Sequence, residues 1–203
     1  GLSKTVTGLA NGTTYDFMVV AVDQGENGSP GVIASATPQA AIVVGGSSYF
    51  TVQQAIDAAL PGQTVTLGVG TFVGNLVLKP GVSLRGFSAK HTRIVGSGLG
   101  AVITVQGVYL TDPLSEISQL AVTTGETGIE GGTADLYIHH VAIYAINGTP
   151  GHAITGLLGG RLRIVNVVLM SNLGHAVDAT TAAALTTVKN SVIGKNGGGL
   201  FVV

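Results

Sequence analysis

Ile138-His-His-Val-Ala-Ile143 is restated three more times in this chain, as Ile117-Ser-Gln-Leu-Ala-Val122, Ile164-Val-Asn-Val-Val-Leu169 and Val188-Lys-Asn-Ser-Val-Ile193. The start-to-start steps are 21, 26 and 24 residues. A glycine marker follows each segment, at Gly128-Ile129, Gly151-His-Ala-Ile154, Gly174-His-Ala-Val177 and Gly198-Gly-Leu-Phe201, and steps by 23, 23 and 24. Two markers sharing one period identify a solenoid. A solenoid coil cannot bury its apolar face alone, so each coil needs neighbours above and below.

Stacked parallel coils repeat at about 4.8 Å and set like residues over like residues. Ile117, Ile138, Ile164 and Val188 are therefore expected in one interior file, and Val122, Ile143, Leu169 and Ile193 in another. Asn166 and Asn190 share one coil position, taken by Gln119 and His140 in the earlier coils. Asn tolerates left-handed backbone at a tight bend, and stacked amides can bond along the axis, so this column is read as structural.

Composition agrees with an all-β chain. Charged residues are only 9 % of 203, and Gly reaches 32, so long polar helical faces are not available. A net charge of −1 offers no basic face for nucleic acid. No apolar run approaches the ~18 residues of a spanning helix. The absence of Cys excludes disulfides and thiolate sites.

Upstream of the repeat, Val52, Ala55, Ile56, Ala59 and Leu60 fall at helical spacing. Thr51 and Gln54 form a capping box, and Pro61-Gly62 stops the helix near 52–60. Short strands punctuated by Gly and Pro follow: Thr64-Val-Thr-Leu67, Asn75-Leu-Val-Leu78, Pro80-Gly-Val-Ser-Leu-Arg-Gly86 and Thr92-Arg-Ile-Val-Gly96. Residues 49–203 resemble a right-handed parallel β-helix of the pectin-lyase-like superfamily, in which a helix at this place plugs the N-terminal end of the coil.

Residues 1–39 read differently. Tyr15, Phe17, Val19 and Ala21 share one strand face, Asp23-Gln-Gly-Glu-Asn-Gly-Ser-Pro30 is a turn-rich loop, and Gly31-Val-Ile-Ala-Ser-Ala-Thr37 is another strand. With Thr5-Val-Thr-Gly-Leu9 these resemble the last three strands of a fibronectin type III sandwich, which implies a tyrosine corner at Tyr15. Residues 40–48 read as a linker.

The candidate ligand-binding residues are few. His152 and His175 share the Gly-His-Ala slot and are expected to stack, with His139 on the strand before His152. Arg161 and Arg163 flank Leu162 and point the same way on a strand, where they could neutralise a uronate carboxylate. Surface and turn roles explain all five more simply. No catalytic residue, metal ligand or cofactor is assigned. Glycoside hydrolysis needs two carboxylates roughly 5–9.5 Å apart, and no two acids share an evident ladder position. The motifs of pectin methylesterases, polygalacturonases and pectate lyases are also missing from residues 100–203.

The expected function is an extracellular or cell-surface structural or adhesive protein of prokaryotic type. It is read as a rigid spacer or fibre subunit that self-associates, or meets neighbouring domains, through incompletely satisfied ends. The alternatives are a polysaccharide lyase or glycoside hydrolase on acidic polysaccharide, and a non-catalytic carbohydrate-binding module.

Overall fold

The structure is a computed structural model that describes residues 6, 9, 13–38, 41–107, 112–155, 160–179 and 185–202. The chain divides into two compact units, Gly1–Ala40 and Ala41–Val203.

In the first unit, β1 (Tyr15–Val19) and β2 (Val32–Ala36) form an antiparallel pair with Tyr15 opposite Ala36 and Val19 opposite Val32. Tyr15 and Phe17 alternate with exposed Asp16 and Met18, and their rings lie 6.5 Å apart. The loop between the strands folds around Asp23, whose Oδ1 accepts the backbone N–H groups of Gly25 (2.8 Å) and Asn27 (3.0 Å). These contacts, led by Asn27, hold its carboxyl below the usual range. Most of the strand expected at residues 5–9 lies outside the described residues.

The second unit begins with β3 (Ile42–Val44) and β4 (Ser47–Ser48), within the stretch read from sequence as a linker. Ile42 and Val44 alternate inward, which recruits β3 as an antiparallel strand. Helix α1 (Val52–Ala58) follows, with the reciprocal Thr51–Gln54 capping box in place. It buries Val52, Ala55 and Ile56 and packs on neighbouring strands.

From there the chain winds through sets of three strands. They are β5 (Thr64–Leu67), β6 (Gly70–Val73) and β7 (Leu76–Leu78); β8 (Ser83–Arg85), β9 (Thr92–Val95) and β10 (Ala101–Val105); β11 (Ser115–Ser118), β12 (Ala121–Thr123) and β13 (Thr127–Glu130); β14 (Leu136–His139), β15 (Ala142–Tyr144) and β16 (His152–Thr155); β17 (Arg161–Val165), β18 (Val168–Met170) and β19 (His175–Ala179); β20 (Leu185–Lys189), β21 (Val192–Gly194) and β22 (Gly198–Val202). The first strands of the sets stack into one parallel sheet, which β3 and β4 extend antiparallel. The second strands form another sheet and the third strands a third. This is a parallel β-solenoid.

Each sheet sends a continuous file of apolar side chains inward. The first-strand sheet aligns Val65, Leu84, Ile117, Ile138, Ile164 and Val188. The second aligns Phe72, Ile94, Val122, Ile143, Leu169 and Ile193. The third aligns Leu76, Ile103, Ile129, Ile154, Val177 and Leu200. Ile117, Ile138 and Ile164 are completely buried, as are Val122, Ile143 and Leu169.

The corners have distinct chemistry. Gln119 (φ 56°), His140 (φ 53°), Asn166 (φ 55°) and Asn190 (φ 47°) all take left-handed backbone between the first and second strands. A second left-handed column, Thr124, Ala145, Ser171 and Lys195, opens the next corner. Amides bond along the axis at this second corner. Buried Asn172 donates from Nδ2 to Asn196 Oδ1 (2.9 Å) and Ile143 O (3.2 Å), and accepts from Ile146 N–H (3.2 Å). Asn166 instead meets His140 of the preceding coil, Nδ2 to Nε2 at 3.2 Å. The marker glycines mark close approach: a Cβ on Gly128 would stand 2.5 Å from Ala153 O and 2.7 Å from Ile143 Cγ2.

Candidate functional site

The five residues singled out from sequence lie in two places. The first is the outer face of the first-strand sheet, where alternation turns Tyr137 and Arg163 outward beside His139. Strand register aligns Glu116, Tyr137, Arg163 and Thr187 in one outward column, and Ser118, His139, Val165 and Lys189 in the next. Arg163 lies 4.7 Å over the Tyr137 ring, which stacks on His139 at 4.4 Å. Both are close enough for the ring quadrupole to act. Arg161 is tied to Asp135 of the preceding coil: its backbone N–H donates to Oδ1 (3.0 Å) and its guanidinium to Oδ2 (3.1 Å). A groove of about 410 Å³ runs along this face, lined by Asp135, Tyr137, Arg161, Arg163, Thr187 and Lys189 among others.

Beside the groove is an oriented chain of polar contacts. Glu116 Oε1 accepts from Ser118 Oγ (3.1 Å) and faces His139 Nε2 at 2.8 Å. If neutral His139 donates from Nε2, its Nδ1 is an acceptor. The 2.8 Å contact to His140 Nδ1 then requires His140 to donate there, which leaves its Nε2 to accept from Asn166. With that assignment each of the four contacts has one donor and one acceptor, so the face holds itself together as well as presenting charge.

The second place is the outer face of the third-strand sheet. His152 on β16 and His175 on β19 stack 5.0 Å apart with ring planes 5° from parallel. Asp178 joins them, with Oδ2 3.3 Å from His152 Nε2 and 3.6 Å from His175 Nδ1. His152 Nδ1 accepts the backbone N–H of His175 at 2.8 Å. Its ring proton therefore sits on Nε2, facing the carboxylate. Burial holds the His152 imidazole below the ordinary histidine range; the Asp178 charge opposes that shift, and His175 adds to it.

The three donor groups lie within 4.8 Å of one another, a spacing that would suit one cation. Two features oppose a metal. Parallel rings aim their lone pairs in separate planes, and the His152 nitrogen facing Asp178 carries a proton that its acceptor role at Nδ1 keeps in place. The arrangement fits two imidazoles sharing one carboxylate.

The structure corrects one expectation about the acids. Glu130 and Asp178 occupy one outward column, with Thr155 between them. Two strand spacings put their backbones about 9.6 Å apart. The signal was available, since the two acids are 48 residues apart, two coil lengths. Asp178 reaches His152 on the preceding coil, a diagonal relation that comparing each His with its own coil does not reveal.

Stacked parallel sheets, three unbroken apolar files and one-sided polar columns define the class as a parallel β-solenoid. No family model, curated protein or solved structure matches the chain.

Proposed function

We propose that this chain is a structural or adhesive element of a secreted or cell-surface protein, a rigid β-solenoid spacer. The observation that carries the reading is the continuity of the three interior files, which makes each coil's stability depend on its neighbours and stiffens the axis. The coil is read as right-handed and pectin-lyase-like, with α1 as its end plug and the β1–β2 hairpin as part of a fibronectin type III module. Arg163, Lys189 and the groove beside them supply the adhesive face, suited to acidic polysaccharide.

A second reading is an inverting glycoside hydrolase on the third-strand sheet. The shared column of Glu130 and Asp178 favours it, because it sets two carboxylates on one face with backbones about 9.6 Å apart, just beyond the roughly 6.5–9.5 Å that inverting enzymes keep between carboxyl groups. One experiment separates the two. The purified chain is incubated with acidic and neutral polysaccharides, and reducing ends and unsaturated products are measured. The spacer reading expects none. Reducing ends that disappear in Glu130→Gln and Asp178→Asn would replace it with the hydrolase.

A further inference from the structure

The contact between His152 and the backbone of β19 has a consequence for how neighbouring coils hold together. Between β16 and β19 the register pairs Ile154 with Val177 and Thr155 with Asp178. Ahead of these pairs, Gly174 N–H reaches Gly151 O at 2.8 Å. The next amide, that of His175, goes to a side chain, the His152 Nδ1. One ring nitrogen thus takes the first amide of β19.

That nitrogen cannot keep its task in acid. The His152 proton already on Nε2 faces Asp178, so a second proton can enter only at Nδ1. Once Nδ1 carries hydrogen, two N–H groups point at each other across the former bond. The added charge also lies against the parallel His175 ring, 5.0 Å away.

Among the described residues the surroundings offer one strong counter-charge, Asp178. From β19 the group meets His175 and Asp178; from its own strand, β16, Thr155 shares its outward side. Strand β13 contributes Thr127 opposite His152 and Glu130 opposite Thr155. Glu126, just ahead of β13, is committed to the Gly100 N–H at 2.8 Å. Strand β22 places Gly198 opposite His175 and Phe201 opposite Asp178, with no charge in either position.

We propose that His152 is an acid-sensitive latch between adjacent coils, its Nδ1 securing the His175 backbone at neutral pH and releasing it on protonation. The direction follows from linkage. A histidine that takes up its proton less readily in the folded chain adds stability at high pH and loses it as pH falls below the ordinary histidine value. Release is local: β19 loosens at its leading end while the apolar file through Ile154 and Val177 still holds.

The test is hydrogen exchange of the His175 amide in the full chain from about pH 8 to about pH 5, corrected for intrinsic exchange. The expected result is a loss of protection on the order of tenfold through the histidine range. In His152→Asn the side-chain oxygen takes the place of Nδ1 without titrating, and the pH dependence should vanish while protection at neutral pH remains. Asp178→Asn removes the charge that favours imidazolium and should move the loss to lower pH. Protection of His175 that stays constant in the native chain would overturn the latch. So would the same pH dependence in His152→Asn, or an unmoved midpoint in Asp178→Asn.

Discussion

Replacing Ile138 by Ala removes three carbons from the middle of the first-strand interior file. Ile138 is fully buried between Ile117 and Ile164, themselves fully buried, so the vacated space has aliphatic walls above and below. At ~0.8 kcal/mol per buried methylene the transfer loss is about 2.4 kcal/mol. Incomplete closure of the cavity between stacked coils raises the expected loss to about 3–4 kcal/mol. Ile138→Val should cost about 1 kcal/mol. Tyr137→Ala, one residue away but facing outward, gives up mainly the Arg163 and His139 contacts and should cost about 1–2 kcal/mol. Urea unfolding followed by circular dichroism gives the ranking, and hydrogen exchange shows whether the weakness spreads to both neighbouring coils. A loss below about 1 kcal/mol for Ile138→Ala, or one no larger than for Tyr137→Ala, would refute the inward assignment and the stacking built on it.

Thr51→Ala removes the oxygen that accepts Gln54 N–H and should lower stability by about 1 kcal/mol in thermal melts, while Thr51→Ser should retain most of it. Gly128→Ala drives a methyl toward Ala153 O and Ile143, so a loss of about 1–3 kcal/mol by denaturant titration is expected. Ala145→Gly relieves a left-handed alanine at φ 54°. The strain relieved, about 1–2 kcal/mol, exceeds the added chain entropy and leaves a net gain of about 0.5–1 kcal/mol, readable as a higher Tm.

The solenoid was legible because its signal is additive. Ile138, Ile164 and Val188 each recur at nearly one period, and only stacking in register lets all of them leave water. The first corner was legible at Asn166 and Asn190, residue types that tolerate left-handed backbone; the same strain at Thr124 and Ala145 carries no such signature and is imposed by neighbouring coils. The axial amide bonding expected at Asn166 and Asn190 occurs at Asn172 and Asn196, because Asn172 lies in the buried corner where backbone groups of Ile143 and Ile146 require partners. The site was half legible. Repetition placed His152 over His175, but Asp178 joins them diagonally and Glu130 stands two coils away, relations that need register as well as period.

The three corners also differ in how much chain they hold. From β11 onward, two residues always separate the first strand from the second, and five always separate the third strand from the next coil. The remaining corner holds three, seven, four and three residues in successive coils, and this variation underlies much of the uneven spacing of the strand motif. Length there varies while the files on either side stay in register. A peptide grafted at exposed Thr149, clear of buried Ile146 and of the Gly148 and Gly151 amides that bond the preceding coil, would hang outside the column and leave its register in place, so this edge is where the scaffold could gain new surface and where a designer should place a cargo loop.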